Sequence, residues 1–123
     1  TAREARETND PNLVQVADRL SEANGALKDA TAWMKRMLAE DRDVALAGAT
    51  AYLALAGDVL GGHFLTKGAV EARAEGGPIR GRMTALAGFF AETSLASAPG
   101  AVAGITQGGQ AMLAESEALF GIG

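Results

Sequence analysis

Between Tyr52 and Leu65 the chain reads YLALAGDVLGGHFL, apolar on almost every side of a helix and yet interrupted by Gly57, Gly61 and Gly62. At 3.6 residues per turn, Thr50, Ala54, Gly57, Gly61 and Gly68 fall along one stripe. Leu46, Leu53 and Leu60 make a second, and Tyr52, Leu55 and Val59 a third. A helix that is apolar all round is expected to be buried all round. Each mid-helix glycine costs about 1 kcal/mol against alanine, which a close approach of a neighbouring backbone has to offset. The segment is therefore expected to be the central helix of a bundle, with Tyr52, Gly57, Gly61 and Gly62 as its packing motif. Gly61→Leu is expected to overpack a close helix contact.

The rest of the chain agrees with a helical class. Its 123 residues make one domain able to bury roughly two-thirds of its unfolded surface. Alanine, leucine and glycine dominate, aromatic residues amount to 5%, and no segment alternates apolar and polar residues for long, as a half-buried strand would.

Local signals divide the helices. Residues 1–9 are charged and read as an N-terminal extension or linker, followed by a single helical bundle domain over 10–123. Asp10-Pro11 is a helix start, an N-cap acceptor followed by a proline whose missing N–H costs nothing there. Leu13, Ala17, Leu20, Asn24, Leu27, Thr31, Met34 and Leu38 then recur at steps of four and three, a seam with polar interruptions at Asn24 and Thr31. Trp33 lies off it, at the core edge or against another subunit. The helix is expected to stop at Ala39 or Glu40, with Asp41-Arg42-Asp43 as a capped link too short for anything but antiparallel packing.

The central helix is expected to end near Glu75, before Gly76-Gly77-Pro78. Ile79, Met83, Leu86 and Phe90 share a face of the next segment, with Phe89 beside it. Pro99 interrupts that segment, and Val102, Ile105, Gly109, Met112 and Leu113 resume the pattern. The fold expected is an all-α antiparallel bundle of three long helices. The third is kinked or split near Pro99, and a full split N-capped by Ser97 would make four. Leu119, Phe120 and Ile122 are left for docking of the tail.

Charge narrows the partners. A net charge of −4 has the wrong sign for a phosphate backbone, and no basic stripe with interleaved aromatics occurs, so no nucleic-acid partner is expected. The chain has no cysteine, which excludes disulfide and thiolate chemistry and fits a cytoplasmic location. Residues 1–12 are polar and show no secretory signal. The chain begins at Thr1 rather than methionine and is read as a processed product or a piece of something longer. Val44–Leu65 is long enough to cross a bilayer, but Asp58 near its centre would cost on the order of 3 kcal/mol; no membrane span is expected.

The order of these features resembles the extra C-terminal helical domain of a subset of acyl-CoA dehydrogenases. The family's second helix carries tyrosine-leucine, an apolar run with glycine, then a glycine pair and an aromatic; here stand Tyr52-Leu53, Gly57, Gly61-Gly62 and, after His63, Phe64. The aromatic pair with alanine-glutamate of the third helix is similar to Phe89-Phe90-Ala91-Glu92. A later small-residue helix with an acidic end resembles Ile105-Thr106, Gly108 and Glu115-Ser116-Glu117. The likeness spans about residues 10 to 120. His63 departs from the bulky aromatic usual in the family, and Pro99 lies a few residues later than the usual proline.

The resemblance implies a parent enzyme that oxidises the Cα–Cβ bond of an acyl-CoA, a glutamate taking the α-proton while FAD receives the hydride. It places both the glutamate and the flavin in upstream dehydrogenase domains. The chain itself is then expected to bind no FAD and to carry no catalytic residue. Its expected partners are those upstream domains or other copies in a homo-oligomer, with acyl-CoA bound by the parent. Arg80 and Arg82, opening the third helix, are candidate contacts to a CoA phosphate, against the plainer reading of solvated arginines. His63, the sole histidine, is expected to be a packed or interface residue rather than a metal ligand. Asp58 is expected to meet an arginine or a backbone donor or to emerge at an edge, and Glu92 to be a surface or interhelical charge. The alternatives are a stand-alone dimerisation or adaptor module, and a carrier of a small apolar ligand in a cavity along the glycine stripe.

Overall fold

The structure, a computed structural model, describes residues 1–120. Expectations for the side chains of Gly109, Met112, Leu113, Ser116, Glu117, Leu119, Phe120 and Ile122 lie outside the described residues. The described residues form helices α1 (Ala2–Glu7), α2 (Pro11–Glu40), α3 (Arg42–Glu75), α4 (Gly77–Phe90) and α5 (Ala98–Phe120), with a π-helical turn over Ala91–Leu95 joining the last two. Among the described residues there is no strand.

The helix ends follow the side chains available to them. Asp10 accepts from the Asn12 amide at 3.0 Å and Pro11 opens α2. Asp41, the one residue between α2 and α3, does two jobs: its amide donates to the Met37 carbonyl and its carboxylate accepts from the Val44 amide at 3.4 Å. So short a link folds α3 back along α2. α3 ends on Gly76 at φ 72, followed by Gly77 at φ 68, a left-handed pair that glycine adopts at little cost.

The third long helical segment of the bundle breaks ahead of Pro99. A hydrogen bond donated by the Ala96 amide to the Ala91 carbonyl, 2.9 Å and five residues back, widens the helix there by one residue. Ser97 does not cap α5; its hydroxyl donates to the Ser94 carbonyl at 2.9 Å. Pro99 is the second residue of α5, where its missing N–H leaves no bond unmade. α4 and α5 therefore run in one direction along α3. Met83 faces Gly68, Phe90 faces Gly61, Leu95 faces Gly62, and the Ile105 carbonyl faces Gly48.

The core is set between α2, α3 and this two-part third helix, with Leu13, Leu20, Leu95 and Ile105 fully buried. Trp33 is buried against Gly48, which resolves its place off the α2 seam. α1 lies back on α2: Ala5 is buried and Arg6 reaches Asp18 at 3.0 Å.

The expectation for α3 needs correction. It is not buried all round. Its buried side carries Val44, Ala45, Gly48, Leu55, Val59, Gly62, Thr66 and Ala69. On the opposite side Leu46, Leu53, Leu60 and Phe64 are 60%, 66%, 56% and 73% exposed. With α2, α4 and α5 all packed along one half of the helix, no described residue covers the other half.

Candidate docking surfaces and the polar pairs behind them

Two polar positions in the α2 seam find partners on α3. Asn24 Oδ1 lies 3.0 Å from His63 Nε2, and the Thr31 hydroxyl lies 2.8 Å from the Tyr52 hydroxyl. Thr31 also donates to the Leu27 carbonyl at 2.7 Å, so Tyr52 is left to donate to Thr31. The two bridges sit at separate heights of the α2–α3 contact and favour one register, because a shift of either helix would separate these half-buried polar pairs. Burial holds the His63 pKa below the usual histidine value, favouring the neutral ring. With its proton on Nε2, that ring donates to Asn24.

The glycines of α3 do different things. A Cβ at Gly62 would lie 2.8 and 2.9 Å from the two methyls of buried Leu95, and one at Gly61 would lie 3.1 Å from the Phe90 ring. Gly68 is closed by Met83 at 2.8 Å. Opposing side chains thus occupy the space along Gly61, Gly62 and Gly68, which leaves no apolar cavity there. Gly57 departs from the expected packing motif, since a Cβ on it would meet nothing within 4 Å. It belongs to the exposed side of α3.

Beside α3, the start of α2 and the length of α4 enclose an open groove of about 560 Å³. Asp10, Gln15 and Val16 line one wall; Arg80, Thr84, Phe89 and Glu92 line the other. Its carboxylates are already engaged. Asp10 accepts from Arg73 at 2.8 Å, a half-buried pair tying α2 to α3. Glu92 accepts from Gln15 at 2.9 Å and lies 3.4 Å from Arg19, so it is an interhelical charge. Glu22 at 3.1 Å and Glu92 together raise the Arg19 pKa. Arg80 has no ion-pair partner among the described residues and faces this groove; Arg82 is exposed and does not line it. Asp58 is half-buried at the edge of α3, also without an ion-pair partner among the described residues.

Among the described residues, uncovered large apolar side chains remain on three helices; on α2 it is Leu38, at the end of the expected seam and half exposed. α4 exposes Ile79, Leu86 and Phe89, the last at the lip of the groove, and α3 exposes the four named above. By length and composition α3 is long and apolar enough to cross a membrane, although in the bundle one side of it is packed and carries the His63 and Tyr52 bridges. Among the described residues no three of His, Cys, Asp and Glu come together as a metal ion would need. Sequence reading singled out Arg80 but not Glu92 with Gln15 and Arg19; that cluster depends on the turn at Ala91–Leu95, which no sequence signal marks.

A family model described as acetyl-CoA dehydrogenase C-terminal like matches residues 1–115. No curated protein and no solved structure matches the chain.

Proposed function

The chain belongs to the acetyl-CoA dehydrogenase C-terminal-like family, and from that membership we propose that it serves as the accessory helical domain of an FAD-dependent acyl-CoA dehydrogenase. In this reading it packs on the dehydrogenase body, supports the oligomer and helps wall the CoA end of the substrate groove, in the cytoplasm. One observation carries the reading: the bundle leaves Ile79, Leu86 and Phe89 of α4 uncovered beside an open groove. A folded domain with such a face has a partner to bury it.

The described residues do not fit a flavin. The Gly76-Gly77-Pro78 turn connects two helices, not a strand and a helix, and so lacks the geometry with which a glycine-rich turn cradles a pyrophosphate. The groove's carboxylates are engaged by Arg73, Gln15 and Arg19. The flavin and the base belong, in this proposal, to an upstream portion, and no chemical step is assigned to this chain. Of the two candidate arginines, Arg80 is the one placed for a CoA phosphate, because it faces the groove without a carboxylate partner among the described residues. An exposed pair of this kind is worth up to about 1 kcal/mol, so Arg80→Glu in the parent enzyme is expected to raise KM for the acyl-CoA a few-fold and leave kcat unchanged.

The test is the reading frame upstream of Thr1 and the mass of the natural product. A dehydrogenase portion ahead of Thr1, whose enzyme loses flavin content or assembly when this bundle is removed, is the expected result. A gene that encodes only the bundle would contradict it. The exposed side of α3 would then favour the second reading, a stand-alone dimerisation or adaptor module.

A further inference from the structure

The exposed side of α3 has an internal order that unpartnered apolar surface need not have. Leu46, Thr50, Leu53, Gly57, Leu60 and Phe64 follow one another at alternating steps of four and three, and all are exposed. The same alternation extends outward by one step at either end, to Asp43 and Lys67, also exposed. Steps of three and four are the spacing with which two helices pack side chains along a common seam.

Along the stripe large residues alternate with small ones up to Leu60, and the ends carry opposite charges. When a second α3 is laid against it in the reverse direction, residues equally distant from Leu55 face each other. Leu53 then stands over Gly57, Leu60 over Thr50, Phe64 over Leu46, and Asp43 over Lys67. A twofold axis repeats every pair, so one patch is complementary to itself, which is the requirement for a closed dimer. The hole at Gly57 is open, since beyond the helix's own local backbone no described residue comes within 4 Å of where its Cβ would be. A parallel pair has none of this fit. It sets Asp43 on Asp43, Lys67 on Lys67 and Gly57 on Gly57. An anionic bilayer suits the stripe less well too, because its one cation is matched by an aspartate and the chain carries a net charge of −4.

We infer that this side of α3 is the docking site for a second copy of the chain, the two α3 helices running antiparallel about Leu55. The inference goes beyond the accessory-domain reading and stands without it, since it needs the α3 stripe and no parent enzyme.

Sedimentation equilibrium of the chain between roughly 1 and 200 μM covers the range in which a helix seam of moderate affinity dissociates. The mass is expected to rise with concentration from 12.5 kDa to twice that value. Gly57→Leu fills the hole that receives Leu53 and is expected to weaken the dimer at least tenfold, while the Tm of the dilute chain holds or rises slightly. Lys67→Asp is expected to weaken it several-fold, and Asp43→Lys combined with Lys67→Asp to restore it. Because the chain lacks cysteine, direction is read by mild oxidation: a mixture of Leu53→Cys and Gly57→Cys chains is expected to cross-link between the two variants. A wild-type chain that stays monomeric over the whole range, or a dimer indifferent to Gly57→Leu, overturns the inference. So does efficient cross-linking of Leu53→Cys alone, the mark of a parallel seam. Stable insertion of the monomer into phosphatidylglycerol vesicles through Phe64 would assign the face to lipid and overturn it as well.

Discussion

The two sides of α3 have similar apolar content and opposite fates. The inner side is built of small residues and of side chains with a definite partner: Gly48 under Trp33, Gly62 under Leu95, Tyr52 bonded to Thr31, His63 to Asn24. The outer side carries Leu46, Leu53, Leu60 and Phe64, and no described residue covers them. On the inner side small residues sit where a neighbouring helix comes close, whereas Gly57 on the outer side meets no neighbouring element among the described residues. Hydrophobicity by itself therefore says that a surface is to be buried but not by which molecule.

The sharpest way to break this comparison is to remove the same leucine atoms on either side. Leu55→Ala, at a position 3% exposed, is expected to cost about 3 kcal/mol, the transfer of its side chain plus the cavity left behind. Leu53→Ala is expected to change the stability of the dilute chain by less than about 0.5 kcal/mol. Urea unfolding of both variants at low concentration decides it; equal losses would mean the two sides are equally packed.

Next in size is Asp10→Ala, which deletes the α2 cap and leaves Arg73 unpaired. A loss of roughly 1 to 2 kcal/mol is expected in urea titration, and a neutral result would remove Asp10 from the ties between α2 and α3. Tyr52→Phe keeps the ring and deletes only the bond to Thr31; about 1 kcal/mol is expected. No change in the unfolding midpoint would show that water replaces the hydroxyl.

The smallest effect is a pH dependence. Burial lowers the His63 pKa in the folded chain below the 6.5 of a free histidine. The unfolded chain then binds the proton first, so this contribution is complete above pH 6.5 and is lost as pH falls from there toward the lower folded value. Wild type is expected to weaken relative to His63→Gln over that interval. Parallel stability curves for the two would show that the ring is not desolvated.

Much of the fold was legible because its boundaries are chemical. Asp10-Pro11, Asp41 and Gly76-Gly77-Pro78 stop or start helices through caps, a missing donor and left-handed backbone, all local properties. The polar interruptions at Asn24 and Thr31 were visible in the α2 seam, but their partners His63 and Tyr52 are set by the antiparallel register and not by any neighbour in sequence. The break in the third helix was expected near Pro99 and falls just ahead of it, over the π-helical turn Ala91–Leu95 and residues 96–97; the π-helical turn itself was not legible, since it needs no unusual residue. Gly57 was misread with the other glycines because the periodicity that grouped them cannot tell a stripe facing α4 from one facing solvent. The groove residue Arg80 was legible from its place at a helix start, whereas Glu92 acquired Gln15 and Arg19 only through the fold.

Thermal unfolding of Gly62→Leu and Gly57→Leu side by side, in dilute solution, tests the division of α3 most directly. Both variants replace glycine by leucine in the same helix and gain the same roughly 0.8 kcal/mol of helix propensity. At Gly62 the new side chain collides with buried Leu95, and a net loss of about 2 kcal/mol or more is expected, lowering Tm by about 6 °C or more. At Gly57 it enters open space, and Tm is expected to hold or rise slightly. Equal drops in Tm for the two variants would contradict the account, because the outer side of α3 would then be packed within the chain itself.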